Sequence, residues 1–170
     1  MEHIKFEQLN PTNEMHCACF RKMMRAYAKE QGGLEAFVGN EDEGAIIEKW
    51  ISSILRQLGP SDRHLELCWL DETLAGMMYG KVDHLEHRGF IKPGYGYVME
   101  FYVVPELRRK GIGTEMYHHL EKCFAADGAK QVYLTTDTDC GISFWEHLGF
   151  VNSHEKSPDN QMDIYEKWVE

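Results

Sequence analysis

Apolar residues recur every three or four positions along several stretches of this chain, which is the spacing of one face of an α-helix. The clearest stretch carries Ile46, Ile47, Trp50, Ile51, Ile54, Leu55 and Leu58, and Gly59-Pro60 closes it. An earlier helix is predicted from Glu14 to about Gln31, with Met15, Cys19, Met23, Ala26 and Tyr27 on one face. Two later helices are predicted, one carrying Ile112, Met116, Leu120, Cys123 and Phe124 and a short one over residues 142–148.

Seven shorter stretches, alternating or continuously apolar, predict β-strands. They cover residues 3–9, 65–70, 73–79, 97–104, 131–136, 150–151 and 162–165, with a hairpin turn at Asp71-Glu72 and a long loop over residues 83–96. The order is therefore strand, two helices, three strands, helix, strand, helix and two strands. The strand–helix–strand unit from residue 97 to residue 136 predicts a parallel crossover, so the fold class is α/β with a mixed sheet.

The composition places this pattern in one packed domain, which we expect to span residues 1–170. Hydrophobic residues make up 43% of the chain, and no apolar run approaches the ~20 residues of a membrane span. The formal net charge of −10 repels nucleic acid and anionic membranes and would attract cationic small molecules, although it also simply keeps a protein soluble. Five cysteines without Cys-x-x-Cys spacing, and no signal peptide, lead us to expect a reducing, cytoplasmic setting.

Residues 103–114 carry the most specific chemistry. An apolar strand ends at Pro105, a basic turn follows, and Gly111 and Gly113 precede a helix. Glycine lets the backbone turn sharply and lets a ligand approach closely, and the free N–H groups at a helix N-terminus bind anions. The sequence therefore predicts a cradle for a pyrophosphate. A P-loop would need the lysine after the glycines, and a dinucleotide-binding turn would need a third glycine where Met116 stands.

The same stretch matches the pattern Arg/Gln-x-x-Gly-x-Gly/Ala after a Val-x-Pro strand end. In this respect the chain resembles the GNAT superfamily of acyl-CoA-dependent N-acetyltransferases. Residues 141–150, Gly-Ile-Ser-Phe-Trp-Glu-His-Leu-Gly-Phe, resemble the family's late helix, usually written Asn-x-x-Ala-x-x-φ-Tyr-x-x-x-Gly-Phe. The family's fold has the same order of elements, so the resemblance covers essentially the whole chain.

The resemblance implies acetyl transfer from acetyl-CoA to an amine. Backbone N–H groups and basic side chains would hold the CoA pyrophosphate over Arg108, Arg109, Lys110, Gly111, Ile112, Gly113 and Thr114. In this family the strand before the loop parts from the next parallel strand, and the pantetheine lies in the gap. Backbone near Phe101 and Val103 would pair with its amides, and one such N–H would stabilise the oxyanion. Thr138 and Trp145 stand at the family's Asn and Tyr positions, and we expect them among the CoA-binding residues.

Glu100 is the candidate general base. The acceptor amine must be neutral to attack, and Glu100 is the only charged residue between Tyr97 and Val104, in a strand that otherwise reads as buried. Burial should raise the pKa of its carboxyl toward a value useful for a base. Two roles of the carboxylate stay open. It either takes the proton from the amine, or it points into the substrate cleft and binds a cation. A bulge in this strand would change the side on which Glu100 lies.

The group that protonates the departing thiolate is left open. The family often uses the late-helix Tyr, but the indole of Trp145 has no accessible pKa, and this residue also fits a core aromatic. Either the thiolate leaves unaided, helped by a pKa near ~8.5, or Cys140, Tyr102 or Tyr133 serves as the acid.

The acceptor is also open. By analogy with the family, residues 25–45 and 83–96 would shape its pocket, and the acidic surface favours a cationic small-molecule amine. The alternatives are a protein or peptide amine, another acyl chain such as succinyl or propionyl, and a non-catalytic acyl-CoA-binding or regulatory domain. A homodimer is expected only because dimers are common. We expect no metal, because His84 and His87 lack the helical spacing of a zinc site, and we place His118-His119 at the surface.

Overall fold

The computed structural model describes residues 3–31, 42–60, 62–86, 91–136 and 139–170. Its elements are, in chain order, β1 (Ile4–Gln8), α1 (Glu14–Glu30), α2 (Glu43–Gln57), β2 (Arg63–Leu70), β3 (Thr73–Val82), β4 (Gly96–Val103), α3 (Ile112–Ala126), β5 (Gln131–Thr136), α4 (Asp139–His147), β6 (Val151–Lys156) and β7 (Asp163–Trp168). A 3-10 turn, Pro105–Leu107, separates β4 from α3. The predicted order of strands and helices is confirmed.

The strands form a mixed seven-stranded sheet in the order β1-β2-β3-β4-β5-β7-β6. The first four strands are antiparallel neighbours, with the predicted hairpin between β2 and β3. β4 and β5 are parallel, as predicted for a crossover through α3. β7 lies between β5 and β6 and is antiparallel to both. The parallel pair therefore lies in the middle of the sheet, where it is covered on both faces.

Helices cover both faces of the sheet. α1 and α2 pack on one face, where Phe20 and Ile51 meet Met77 of β3. α3 and α4 pack on the other face, where Met116 lies against Met78 of β3 and the other buried residues of that layer. In the part of the chain that the structure describes, no helix is both long and apolar enough to cross a membrane.

The buried face of α1 differs from the predicted one. Met15 is 52% exposed, whereas Phe20 and Met24 are fully buried. This helix carries apolar residues on several sides, so periodicity alone does not select the face that meets the sheet. The face that is buried carries His16, Cys17, Phe20, Met23, Met24 and Ala28. β6 is also longer than predicted and runs from Val151 to Lys156. Most of its residues are polar and show no apolar alternation, as is common in an edge strand, so the sequence pattern did not reveal its length.

Candidate active site

β4 and β5 pair over only two residues before they part. Gly96 pairs with Val132 and Tyr97 with Tyr133, whereas β4 runs on to Val103. Beyond Tyr97, the edge of β4 that faces β5 has no strand partner among the described residues. The N–H and C=O groups along such an edge can bind a chain of amides as a further strand would. The predicted parting of the two strands is confirmed.

A β-bulge in β4 lies at the parting point. Tyr79 of β3 pairs with Glu100, and the next residue, Gly80, pairs with Val98, so Met99 is the extra residue. Because side chains alternate between the two faces of a strand, one extra residue places Met99 and Glu100 on the same face. That face is the one covered by α1 and α2. The bulge therefore decides the side on which Glu100 lies.

Glu100 is buried between the sheet and the first two helices, with 8% of its surface exposed. The hydroxyl of Tyr27 in α1 and the indole N–H of Trp50 in α2 donate hydrogen bonds to its carboxylate. Loss of water is the largest influence and raises the pKa of this carboxyl, while the two donors lower it. The resulting pKa is about 8, which confirms the predicted rise.

The open edge of β4 exposes the backbone of Val103 and Phe101 to the gap. The N–H of Val104 donates to Ala75 of β3 at 2.9 Å. In a planar trans peptide the preceding carbonyl points the other way, and the Val103 carbonyl indeed accepts a bond from Arg108 Nε at 2.8 Å. Backbone groups of residues two apart point to the same edge, so Phe101 also faces the gap. Both residues thus lie where the resemblance places the pantetheine.

The turn between β4 and α3 contains two residues with left-handed backbone conformations. Arg109 has a φ of +63° and Gly111 a φ of +83°, and such left-handed residues form concave anion sites. No side chain caps the start of α3. The N–H groups of Ile112, Gly113 and Thr114 lie in the first turn and have no intrahelical partners. The positive end of the helix dipole lies among them. This arrangement fits a pyrophosphate.

Arg108 departs from the expectation that it contributes to this cradle. Its N–H donates to the Pro105 carbonyl at 3.2 Å, and its guanidinium donates two bonds to the Glu30 carboxylate at 2.7 and 2.6 Å. The residue therefore ties the end of α1 to the end of β4. Arg109 and Lys110 are exposed and are the basic side chains that can approach a phosphate.

Replacing Gly111 with alanine is expected to strain the backbone without causing a clash. A Cβ at Gly111 would meet nothing within 4 Å, but its φ of +83° is left-handed, which costs other residues roughly 1–2 kcal/mol. Urea denaturation should show a loss of about 1 kcal/mol in the free energy of unfolding, together with weaker binding of acetyl-CoA. Asparagine, which tolerates this conformation, should recover much of the loss. An alanine variant as stable as the wild type would contradict the left-handed turn.

Trp145 lies in an aromatic cluster and is 7% exposed. Its ring centroid is 5.0 Å from that of Phe101 and 5.4 Å from that of Phe150. The adjacent Phe144 packs against Gly113, where an added Cβ would lie 3.1 Å from its ring. Trp145 is thus a core aromatic that joins α4 to the strand bordering the gap, while its contact with CoA stays a prediction.

The structure describes the surroundings of two of the three residues considered as general acid, Tyr102 and Tyr133. The Tyr133 hydroxyl donates to Asp83 at 2.7 Å, and the Tyr102 ring lies 5.4 Å from the Arg108 guanidinium. Burial raises the pKa of both phenols, which makes them poor proton donors. The side chain of Cys140 lies outside the described residues, as does Thr138 altogether.

Three residues contact Glu100 or Arg108 without having been predicted to do so. Tyr27 and Trp50 read as core residues of two helices, although a hydrogen-bond donor on a buried aromatic side chain generally needs a partner. That requirement is the signal that could have linked them to Glu100. The ion pair between Glu30 and Arg108 joins residues 78 positions apart, and no local sequence pattern predicts it.

Residues 34–150 match the sequence model of the Acetyltransferase (GNAT) family. The match spans well over half of the chain and includes β4, the cradle and α4. The chain belongs to the GNAT family of acetyltransferases. The enzymes of this family take their acetyl group from acetyl-CoA, which is therefore the co-substrate of this GNAT enzyme.

Solved structures of other acetyltransferases share the fold of this GNAT enzyme. The PaiA N-acetyltransferase of Thermoplasma acidophilum, solved in complex with coenzyme A, has a TM-score of 0.67 and 20% identity, covering 98% of this chain and 99% of that one. Aminoglycoside 6'-acetyltransferase type Ii has a TM-score of 0.70 and 16% identity, covering 98% and 97%. The ribosomal-protein-S18-alanine N-acetyltransferase of Escherichia coli has a TM-score of 0.60 and 14% identity, covering 98% and 94%. No curated protein matches the sequence of this GNAT enzyme. At these identities the likeness is one of fold, and the acceptors in these names differ.

Proposed function

We propose that this enzyme transfers the acetyl group of acetyl-CoA to a primary amine of a cationic small molecule, with the whole chain as one catalytic domain and Glu100 as general base. The position of Glu100 carries the proposal, because its carboxyl, with a pKa of about 8, stands where β4 leaves β5. A base works best when its pKa is near the working pH. Its charged form takes a proton from an ammonium far better than an ordinary carboxylate with a pKa near ~4.3.

The donor side of the site rests on backbone groups. The N–H groups at the start of α3 would hold the pyrophosphate, and the edge of β4 at Phe101 and Val103 would pair with the pantetheine amides. An N–H next to the bulge would stabilise the oxyanion, a role that is generally worth a few kcal/mol. Thr138 and Trp145 complete the proposed contacts with CoA. No tyrosine acid is required if the thiolate, with its pKa near ~8.5, leaves unaided.

The proposed acceptor side, next to Glu100, is aromatic and acidic. Tyr27 and Trp50 donate hydrogen bonds to the Glu100 carboxyl. Burial, and after it the charge of Glu100, raises the pKa of Tyr97. Aromatic faces attract ammonium groups, and more so where water is excluded. The net charge of −10 adds long-range attraction for a cation. A small polyvalent amine fits this combination better than an anionic or neutral acceptor.

Acetyl-CoA binding can be tested by thermal unfolding. A ligand at about 100 times its Kd stabilises the folded state by about 2.7 kcal/mol, which is roughly 5–10 °C in Tm for a domain of this size. We expect such a shift with acetyl-CoA and with CoA. No shift with either compound at millimolar concentration would contradict the cradle.

Turnover can be tested by thiol release from acetyl-CoA against a panel of acceptors. We expect the highest kcat/KM with polyamines or aminoglycosides, and lower values with neutral amino-acid amides and with peptides that have free N-termini or lysines. A preference for peptides would replace the small-molecule proposal with a protein acceptor. Faster release from succinyl- or propionyl-CoA would change the proposed acyl group.

A further inference from the structure

We propose that this protein binds a zinc ion, or a similar divalent transition metal, between β2 and α3, on His64, Cys123, Glu66 and His119. The site lies on the sheet face that α3 covers, whereas Glu100 lies on the opposite face. Among the described residues, His64, Glu66 and Cys123 offer one ligand atom each, and these atoms lie within 4.8 Å of one another. Nothing in the proposed acetyl transfer uses this cluster.

The fourth donor is His119, one turn before Cys123 on α3. Both His64 and His119 form hydrogen bonds with the Cys123 thiol. His119 Nε2 is 3.3 Å from a Glu66 carboxylate oxygen, but it is buried and makes no aligned hydrogen bond with the described residues. The contact with Glu66 is poorly aligned, and a buried ring nitrogen gains from a better-placed partner. A metal ion among the four side chains would satisfy it.

The two imidazoles are already oriented. His64 Nε2 is hydrogen-bonded to Asp127 at 2.5 Å, which leaves Nδ1 as the ring nitrogen for Cys123 or for a metal ion. A carboxylate on the second nitrogen is the usual arrangement of a metal-binding histidine. The His119 ring stacks on Phe6 with 4.2 Å between centroids, and the His64 ring meets the edge of Phe124. Neighbouring side chains thus limit the rotation of both rings.

The donor set indicates the metal. One thiolate, two imidazoles and a carboxylate match the sulfur, nitrogen and oxygen ligands of four-coordinate zinc, whose bonds are roughly 2.0–2.3 Å long. Such bonds place the donors about 3.5 Å apart, so the donor atoms of His64, Glu66 and Cys123, now within 4.8 Å of one another, must close by about an ångström. The His119 side chain is 32% exposed, which gives an ion access from solvent. Binding would release the thiol proton and any imidazolium proton.

Cobalt titration of the tag-free protein tests this site, because Co²⁺ occupies tetrahedral zinc sites and reports a thiolate ligand by its charge-transfer absorption. We expect one Co²⁺ per chain, intense d–d bands and displacement by Zn²⁺. Cys123→Ser should remove the charge-transfer band, and His119→Gln should weaken binding at least about tenfold. Cys19→Ser is the matched control, since Cys19 is also a half-buried free thiol but lies on α1. It should bind Co²⁺ like the wild type.

Thermal unfolding keeps the test independent of activity. Zn²⁺ should raise the Tm of the wild type and of Cys19→Ser, but not that of Cys123→Ser. Should Cys123→Ser fail to fold, the same comparison with His119→Gln decides the matter. Equal Co²⁺ affinity in the wild type and in the folded variants, or binding without thiolate charge transfer, would overturn the proposal.

Discussion

Replacing Glu100 with glutamine is expected to lower kcat/KM for acetyl transfer by about 100-fold or more above pH 8, with most of the loss in kcat. Glutamine keeps the size of the side chain and can still accept hydrogen bonds from Tyr27 and Trp50, but its amide takes no proton from the acceptor. The measurement is steady-state thiol release with the best amine from the acceptor panel. Glu100→Asp is the partner variant, because it keeps the base but shortens its reach.

The pH dependence of this loss identifies the role of Glu100. A base must be ionised, and with a pKa of about 8 the carboxylate is largely protonated at pH 6 and largely ionised at pH 9. The ratio of kcat/KM between wild type and variant should therefore rise from pH 6 and level off near pH 9, where the carboxyl is largely ionised. The ratio cancels the titration of the acceptor amine itself, which both enzymes share.

Two results would contradict the base. A ratio that stays constant from pH 6 to pH 9 would show that the titrating carboxyl does not take part in transfer. A higher KM with an unchanged kcat would show that Glu100 binds the cationic acceptor and takes no proton. The second result would keep the acceptor proposal and leave water to remove the proton.

The same substitution should stabilise the fold at alkaline pH. The folded pKa of about 8 lies above the ordinary pKa of 4.5 for this carboxyl, so the folded protein binds more protons than the unfolded chain between these values. Stability therefore falls as pH rises from about 4.5 to about 8. Glu100→Gln removes this penalty and should be more stable than the wild type at pH 9 by on the order of a few kcal/mol, with little gain at pH 5. Equal stability at pH 9 would contradict the burial of the carboxyl.

The sequence predicted those parts of the site that depend on neighbours along the chain. The cradle follows from Pro105, Gly111 and the start of a helix, which lie within one short stretch. The apolar strand with one carboxylate identified Glu100 and the direction of its pKa shift. The face on which Glu100 lies depends on a bulge that is visible only in the pairing of β4 with β3, and this pairing has no signal within β4 itself.

Contacts between segments far apart in the chain could not be predicted from the sequence either, because they also depend on tertiary packing. Arg108 fits a phosphate-binding motif, yet the fold places Glu30 within reach and pairs the two. His119 reads as a surface residue of a helix, but packing on β2 brings it to Glu66. In both cases a polar side chain finds its partner through tertiary packing, which periodicity and local motifs do not describe.

Replacing Thr114 with glutamate is expected to raise the Kd for acetyl-CoA about 100-fold while leaving the fold equally or more stable. Thr114 is the third residue of α3, after Ile112 and Gly113. A carboxylate in the first turn of a helix is favourable by about 0.3–1 kcal/mol. The same charge about 5 Å from a phosphate costs about 3 kcal/mol at an effective dielectric constant near 20, which corresponds to about 100-fold in Kd.

Calorimetry for binding and urea denaturation for stability should therefore move in opposite directions, which a general loss of structure would not produce. Thr114→Gln has the same side-chain length without the charge and should bind acetyl-CoA within about tenfold of the wild type. Ala125→Glu places the same charge on an exposed residue at the other end of α3 and should leave the Kd unchanged. Because screening by salt weakens charge repulsion, the defect of Thr114→Glu should shrink at high ionic strength. If the glutamate and glutamine variants bind acetyl-CoA equally well, the pyrophosphate does not lie at the N-terminus of α3.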